Sequence, residues 1–173
     1  MRREPAPTPT LSPLHQIDID IGHVERLLTA NSLPTSGVRE AVSNFLVLLA
    51  GDELLGTVGL EPHRSVALVR SLCVAEASRG CGFARSLCHA IERLAFTRVV
   101  THLYLLTTSA PKFFERIGFE EVTRADAPPQ IRTTEQFRTL CPASARCFHK
   151  GPLVADAGVA STVAGGTARI LDD

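Results

Sequence analysis

The spacing of apolar residues along this chain changes several times, and each change predicts a new helix or strand. From residue 21 to about residue 31 the apolar positions repeat at helical spacing, and Asp20 can cap the start of this helix. The apolar stripe of residues 83–97 predicts a long helix by the same rule. Shorter helices are predicted over residues 38–43, 111–117 and 129–137.

Largely apolar runs at residues 45–50, 54–60, 66–74 and 103–107 predict strands. Two further strands are predicted at residues 119–123 and 144–149, the second of which ends the sheet. Residues 66–74 are apolar on both faces, which indicates a strand in the middle of a sheet. The order of the elements predicts an α/β (α+β) fold with a mixed central sheet flanked by helices.

Length and composition predict one domain with two tails. A chain of 173 residues is long enough to bury one core. Residues 1–13 are rich in proline and threonine, and residues 151–173 contain mostly small and polar side chains without a period, so we expect both tails to be disordered. The folded domain is therefore predicted to span residues 14–150.

Charge and cysteine content narrow the classes of partner. The 18 basic and 18 acidic residues cancel, which argues against nucleic acid or a membrane surface as the partner. No apolar run approaches the ~20 residues that span a bilayer, and no apolar segment follows Met1 as in a secretory signal, so we expect a cytoplasmic protein. Five cysteines without Cys-x-x-Cys spacing favour free thiols and no metal.

A glycine-rich turn between a strand and a helix is the most informative functional feature. The strand of residues 66–74 is followed by Arg79-Gly80-Cys81-Gly82-Phe83-Ala84, which opens the helix of residues 83–97. In such a turn the backbone N–H groups converge at the positive end of the helix dipole, which favours a phosphate-bearing ligand. The alternative is a plain turn before a capped helix.

Three segments together resemble the GNAT superfamily of N-acetyltransferases. They are Leu72-Cys73-Val74-Ala75 with the glycine turn, Leu103-Tyr104-Leu105-Leu106-Thr107-Thr108, and Phe113-Phe114-Glu115-Arg116-Ile117-Gly118-Phe119. Residues 68–72, 131–137 and 140–145 look like the small acetyltransferases encoded with arsenic-resistance genes. The Thr-Thr strand also looks like the acetyltransferase domain of N-acetylglutamate synthase. The resemblance implies the GNAT acyl-CoA N-acyltransferase fold, acetyl-CoA as cosubstrate, a small amino-acid-like amine as acceptor, and a homodimer as one option for assembly.

The resemblance also implies where acetyl-CoA binds. The expected cofactor residues are Leu72, Cys73, Val74, Arg79, Gly80, Cys81, Gly82, Phe83, Ala84, Arg85, Phe113 and Phe114. We expect the amides of residues 81–85 to hold the diphosphate, Arg79 and Arg85 to add charge, and the strand end to pair with the pantetheine arm. The Val74 amide is the candidate donor to the acetyl carbonyl oxygen while the amine attacks.

Glu61 is the candidate base that takes the proton of the attacking amine, directly or through water. An α-amine has a reference pKa near ~7.7–8.0, so part of it is already neutral near pH 7 and only a weak base is needed to remove its proton. The alternative for Glu61 is a solvated carboxylate, and His63 is a second candidate base. Many members of the superfamily use a tyrosine to protonate the leaving thiolate where this chain has Phe114. Ser109 is the candidate to bind the thiolate instead.

Arg70 lies in an otherwise apolar strand and needs a carboxylate partner, which is either a structural acid or the carboxylate of the substrate. A hairpin centred near His63 would pair Arg70 with about Thr57, which predicts that Glu61 need not be the partner. The other candidates for substrate binding are Thr107, Arg132 and Arg138. For the last two, simple solvation is the alternative.

The sequence therefore predicts an N-acetyltransferase that moves the acetyl group of acetyl-CoA to a small amine by direct attack, with arsenic resistance as the context implied by the narrower likeness. Two other functions stay open at this point. One is a module of the same fold that binds coenzyme A without turnover. The other is a protein or peptide acetyltransferase, which would need an open groove.

Overall fold

Residues 7–154 and 168–169 are described in the structure, a computed structural model. Its strands are β1 (Thr10–Pro13), β2 (Phe45–Ala50), β3 (Glu53–His63), β4 (Val66–Val74), β5 (His102–Thr107), β6 (Glu120–Val122), β7 (Arg146–Lys150) and β8 (Ala168–Arg169). Its α-helices are α1 (Ile21–Ala30), α2 (Phe83–Thr97), α3 (Pro111–Arg116) and α4 (Pro129–Arg132). Short 3-10 helices lie at Leu14–Gln16, Val42–Asn44 and Glu76–Ser78, and a π-helix lies at Gln136–Leu140.

The chain forms two compact units. Of the described residues, the first unit contains 7–59, 71–90 and 168–169, and the second contains 60–70 and 91–154. The boundaries fall inside β3, β4 and α2, so each of these elements contributes residues to both units.

An antiparallel sheet and helix α1 build the first unit. β1 pairs with β2, and β2 pairs with β3 so that Phe45 lies opposite Gly59. The buried cluster consists of Leu14, Val24, Leu28, Val38, Phe45, Val47 and Cys73. Asp20 caps α1, because its Oδ1 accepts the Gly22 N–H at 2.9 Å. The predicted first helix and its cap are therefore confirmed.

Parallel and antiparallel pairing meet in the second unit. β4 and β5 are parallel and form three residue pairs, in which residues 66–68 lie beside residues 102–104. β5 pairs antiparallel with β7, and β7 pairs antiparallel with β6. A buried cluster of Leu68, Ala127, Ile131, Phe137 and Cys147 joins this sheet to the segment before β7. The mixed α/β architecture predicted from the sequence is confirmed.

Two predicted helices are wrong. Residues 38–41 form turns and residues 42–44 form a 3-10 helix. The N–H groups of Ala41 and Asn44 donate to the carbonyls of Val38 and Ala41, three residues before them, so α-helical bonding is replaced by the tighter pattern of turns and 3-10 helices. The helix predicted over residues 129–137 is divided into α4 and the π-helix. Between them the hydroxyls of Thr133 and Thr134 donate to the carbonyls of Pro129 and Ile131 at 3.0 and 2.8 Å, which competes with regular helical bonding.

The predicted start of the domain at residue 14 is too late. β1 lies within the predicted tail of residues 1–13 and pairs with residues 46–49 of β2. Its four residues show no apolar alternation, so only the pairing with β2 identifies it as a strand. β8 likewise pairs with β1 inside the predicted tail of residues 151–173. Residues 1–6, 155–167 and 170–173 of the two tails lie outside the described residues.

The cysteines, the helices and the possible metal ligands complete the description of the fold. All five cysteines are free thiols. Within the described part of the chain, no helix is both long enough and apolar enough to cross a bilayer. Over the same residues, no group of three His, Cys, Asp or Glu side chains is placed to hold a metal ion.

Candidate active site

The loop between β4 and α2 has the backbone geometry of an anion-binding turn. After the 3-10 helix Glu76–Ser78, Gly80 and Gly82 adopt φ angles of +84° and +78°. Glycine enters this left-handed region without steric cost, whereas a side chain at the Cβ position makes it unfavourable. A Cβ built on either glycine meets no atom within 4 Å, so the space beside the loop is open to a ligand.

Helix α2 begins at this loop without a capping side chain. The Ser86 N–H donates to the Gly82 carbonyl at 3.1 Å, which is the first turn of the helix. The N–H groups of Phe83, Ala84 and Arg85 precede that bond and have no helical acceptor, and Gly82 has no side chain that could cap them. Their partial positive charge supports the predicted diphosphate site at the start of α2.

Arg79 ties the loop to two other parts of the first unit. Its Nη2 donates to the Asn31 Oδ1 at 2.6 Å, and its Nε donates to the Val74 carbonyl at a longer 3.4 Å. Asn31 is the residue that ends α1. The sequence patterns did not single out Asn31, since nothing in its neighbourhood indicates a partner 48 residues away.

The end of β4 is buried and held to the neighbouring strand β3. Cys73 and Val74 are each 8% exposed, and the Ala75 N–H donates to the Leu55 carbonyl at 2.8 Å. Burial raises the pKa of Cys73 to about 12, so its thiol stays protonated and packs as a small apolar group. Any role of Cys73 and Val74 toward a ligand therefore belongs to their main chain, whereas Leu72 is partly exposed.

Ser71 has a backbone conformation that the sequence did not reveal. It lies within β4 at a φ of +56°, in the left-handed region, and its side chain is buried. A residue with a Cβ is about 1–2 kcal/mol less stable there than in the right-handed region. Such strain is held only where the surroundings demand it, and it is common beside functional sites. Glycine would have indicated this conformation, and serine does not.

In the second unit, Glu61 lies between an arginine and a histidine. Its Oε2 is 3.6 Å from Nη1 of Arg70, and its Oε1 is 3.1 Å from Nε2 of His63. The Arg70 side chain is only 9% exposed, whereas those of Glu61 and His63 are each 31% exposed. Burial lowers the pKa of Arg70, and the carboxylates of Glu61 and Glu135 act in the opposite direction. The two candidate bases thus form one hydrogen-bonded group that solvent can reach.

The sequence predicted that Glu61 need not be the partner of Arg70, whereas the structure places the two side chains together. The turn of the hairpin consists of Arg64 and Ser65, with Arg64 at a φ of +62°, and is not centred on His63. A two-residue turn at this place brings Glu61 opposite Leu68, two positions from the residue opposite Arg70. Diagonal neighbours at that separation are within reach of long side chains.

The segment before β7 is fixed by an arginine that the sequence patterns did not select. Arg124 donates to the carbonyls of Phe137 and Pro142, the latter at 2.9 Å, and its guanidinium lies 5.2 Å from the centroid of the Phe137 ring. Arg132 and Arg138, the predicted substrate residues of this segment, are exposed. They remain candidates because exposure leaves their guanidinium groups accessible to a ligand.

Thr107, Ser109 and Phe114 surround the start of α3. The Thr107 Oγ1 accepts the N–H groups of Ala110 at 3.1 Å and of Ser109 at 3.4 Å, so it orders the turn into this helix. The Ser109 side chain is in an exposed position. Phe114 is 6% exposed, with its ring centroid 5.1 Å from that of Phe113 and 5.7 Å from that of Phe119. Little of the Phe114 ring is therefore available to a ligand.

The predicted site residues divide between the two units by role. The first unit holds Leu72, Cys73, Val74, Arg79, Gly80, Cys81, Gly82, Phe83, Ala84 and Arg85. The second unit holds Glu61, Arg70, Thr107, Ser109, Phe113, Phe114, Arg132 and Arg138. The predicted donor-binding residues thus lie in the first unit, except for Phe113 and Phe114, and the predicted amine-binding groups lie in the second unit.

Comparisons with known proteins agree with the fold. Residues 41–121 match the family model of the acetyltransferase (GNAT) domain. None of the curated proteins compared with the sequence matches it. This match supports, for residues 41–121, the resemblance to the GNAT superfamily that the sequence motifs indicate.

Solved structures of low sequence identity share this fold. N-acetylglutamate synthase from Neisseria gonorrhoeae, solved with coenzyme A and N-acetyl-glutamate, has a TM-score of 0.71 at 16% identity over 83% of this chain and 35% of its own. Rv2747 from Mycobacterium tuberculosis, solved with CoA, has a TM-score of 0.69 at 16% identity over 82% of this chain and 98% of its own. A GNAT-family acetyltransferase from Staphylococcus aureus has a TM-score of 0.60 at 15% identity, over 83% of this chain and 98% of its own. This chain thus spans about a third of the length of the synthase.

Proposed function

We propose that this chain, which carries an acetyltransferase domain of the GNAT type, transfers the acetyl group of acetyl-CoA to the amine of a small amino-acid-like substrate. The observation that carries the proposal is the start of α2, where two left-handed glycines border open space and are followed by the first N–H groups of the helix, which have no helical acceptor. The synthase of Neisseria gonorrhoeae, which shares the fold, was solved with coenzyme A and an N-acetylated amino acid.

The donor is held mainly by main-chain groups. In this proposal the amides of residues 81–85 bind the diphosphate, and Arg79 and Arg85 contribute charge. Leu72 to Val74 present their main chain to the pantetheine arm, in the way that an added strand pairs with a sheet edge. The Val74 amide donates to the acetyl oxygen as negative charge develops on it, a role whose loss costs on the order of 3 kcal/mol.

The acceptor amine attacks the thioester directly. Its nitrogen lone pair forms a bond to the acetyl carbon, the carbon–sulfur bond breaks, and the amine proton moves to the group formed by Glu61 and His63. The two side chains are 3.1 Å apart and both reach solvent, so a proton can pass from Glu61 or from His63 to water. The sulfur leaves as a thiolate beside Ser109. A thiol has a reference pKa near ~8.5, so the thiolate is a tolerable leaving group without an acid at Phe114.

Four side chains of the second unit are proposed to bind the carboxylate of the acceptor. Arg132 and Arg138 are exposed, so a ligand can reach them. The Thr107 Oγ1 accepts the backbone N–H groups of Ser109 and Ala110, which leaves its hydroxyl proton to be donated to a ligand. Arg70 lies beside the candidate base, with its Nη1 3.6 Å from the Glu61 Oε2, and in this proposal its positive charge attracts the carboxylate of the acceptor toward Glu61.

A panel assay tests the proposal. The protein is incubated with acetyl-CoA and each of the common amino acids, and the N-acetylated product is quantified by mass spectrometry. Mass detection is preferable to a thiol reagent because Cys81 is exposed and would react as well. We expect acetylation of the α-amine of at least one free amino acid and no acetylation of lysine side chains in peptides. Binding of coenzyme A without any product would favour a non-catalytic module, and acetylated peptides would favour a protein acetyltransferase.

The arsenic-resistance context and the cytoplasmic location belong to the same proposal and rest on the sequence. Growth of an arsenic-sensitive host with the chain, and with a Gly82→Val variant as control, tests the context. Equal growth of the two strains on arsenic would exclude a role in arsenic resistance, and the proposed acetyltransferase activity would still stand.

A further inference from the structure

Arg79 is held by two neutral acceptors. The side-chain oxygen of Asn31 accepts from Nη2 at 2.6 Å, and the main-chain oxygen of Val74 accepts from Nε at 3.4 Å. Within residues 7–154, no carboxylate lies at ion-pair distance from this guanidinium. Arg79 is exposed, and it immediately precedes the two glycines of the open loop. Its full positive charge is therefore kept beside the amides that the diphosphate would need.

The orientation of the Asn31 amide is determined by its two partners. The Nδ2 group donates to the Leu27 carbonyl at 2.8 Å, and the Oδ1 accepts from Arg79 at 2.6 Å. Rotating the amide by half a turn would place an N–H donor against the guanidinium and an oxygen against a carbonyl, and both contacts would be lost. Asn31 thus presents its oxygen to Arg79 from the rigid end of α1.

An asparagine at this position has a consequence that an aspartate would not have. Both can accept a hydrogen bond from Arg79, but an aspartate would also neutralise its charge and compete with an anionic ligand. The choice of a neutral partner fixes the side chain and leaves its charge for another group. The three remaining guanidinium N–H groups, two of them on Nη1, are available for that group.

We propose that Asn31 is a positioning residue for the donor: it holds Arg79 in place, with its charge unneutralised, for the diphosphate of coenzyme A. The inference rests on the proposed function, because it needs coenzyme A to bind at the start of α2. It adds the end of α1 to the elements that determine donor affinity.

A double-mutant cycle on the full chain tests the inference. The dissociation constant of coenzyme A is measured by titration calorimetry for the wild type, Asn31→Ala, Arg79→Ala and the double variant. We expect each single substitution to weaken binding about tenfold, since a charge-assisted hydrogen bond is involved, and the double variant to be no weaker than Arg79→Ala. Thr29→Ala, in the same turn of α1 but bonded to the Glu25 carbonyl, is the control and should bind as the wild type does.

Two further measurements distinguish positioning from a general loss of structure. Pantetheine lacks the diphosphate, so its affinity should be the same for Asn31→Ala and the wild type at high ligand concentration. Asn31→Asp keeps an acceptor for Arg79 but adds a charge, and its affinity for coenzyme A should fall about tenfold with a weaker dependence on salt. If Asn31→Ala does not fold, Asn31→Asp takes its place as the test of the inference.

The outcomes separate the inference from the proposed function. If the wild type does not bind coenzyme A, both are overturned. If the wild type binds coenzyme A but Asn31→Ala and Asn31→Asp both bind it as tightly as the wild type does, the inference alone is overturned. Additive losses in the double variant, or an equal loss for pantetheine, would also reject it, because Asn31 would then act by supporting the fold.

Discussion

Substituting Gly82 by valine is the sharpest test of the donor site, because this position combines a demanding backbone with empty space. The φ of +78° places any residue with a Cβ in the left-handed region, at a cost of about 1–2 kcal/mol. For a chain of this length, that cost corresponds to a fall in Tm of about 2–8 °C. The variant should therefore fold, with a modestly lower melting temperature.

The effect on coenzyme A should be far larger than the effect on stability. A Cβ at Gly82 meets no atom within 4 Å, so the valine side chain would occupy the space beside the amides of α2 and not the protein interior. Loss of two charge-assisted hydrogen bonds, at about 1.5–3 kcal/mol each, would raise the dissociation constant by about 10²–10⁴-fold. Titration calorimetry and the thermal shift on adding coenzyme A measure this change.

Gly51→Val provides the matched control. Gly51 has a φ of +59° in the turn between β2 and β3, and its Cβ would lie 3.7 Å from Pro7, an ordinary contact. The two variants should lose similar stability, and only Gly82→Val should lose affinity for coenzyme A. Equal affinity of Gly82→Val and the wild type would refute the assignment of the diphosphate to this loop.

Three further predictions concern the second unit. Arg70→Ala should raise the KM for the amine by more than tenfold while leaving the affinity for coenzyme A unchanged; a variant that does not fold would instead favour a purely structural role beside Glu61. Glu61→Gln should lower kcat by about 10²–10⁴-fold at neutral pH, whereas Glu53→Gln, at an exposed position in the same strand, should be as active as the wild type; equal rates would exclude Glu61 as the base. His149 has a pKa lowered from 6.5 by burial and by His102, whose Nδ1 lies 2.9 Å from its Nε2. The unfolded chain therefore binds more protons than the folded chain, and the free energy of unfolding should fall as pH drops below about 6.5. The fall in Tm between pH 7.5 and pH 5 should be smaller in His149→Gln than in the wild type, and an equal fall in both would contradict this explanation.

Features that depend on neighbours in sequence could be predicted well. The apolar run of residues 66–74 became β4 with the same bounds, and the apolar stripe of residues 83–97 became α2. The cap at Asp20 and the glycine turn at Gly80 and Gly82 were also identified. Periodicity, capping and left-handed glycine are local properties of the chain, so a pattern of adjacent residues is enough to indicate them.

Features that depend on alignment between distant segments were missed or wrong. The partner of Arg70 changed because the turn lies at Arg64 and Ser65 and is not centred near His63, and strand register follows the turn and not the composition of the strands. The contact of Arg79 with Asn31 joins the loop to the end of another helix. The left-handed backbone of Ser71 could not be predicted, because the residue is a serine and not the glycine that usually indicates this conformation.

By itself, then, the sequence determined the order of the main helices and strands from β2 to β7 and the position of the glycine turn before α2, since both follow from short-range sterics and the burial of apolar side chains. Only the tertiary structure decided which charges face one another. Glu61 with Arg70 and His63, and Arg79 with a neutral amide, are set by register and packing, which arise when the whole chain settles into one arrangement.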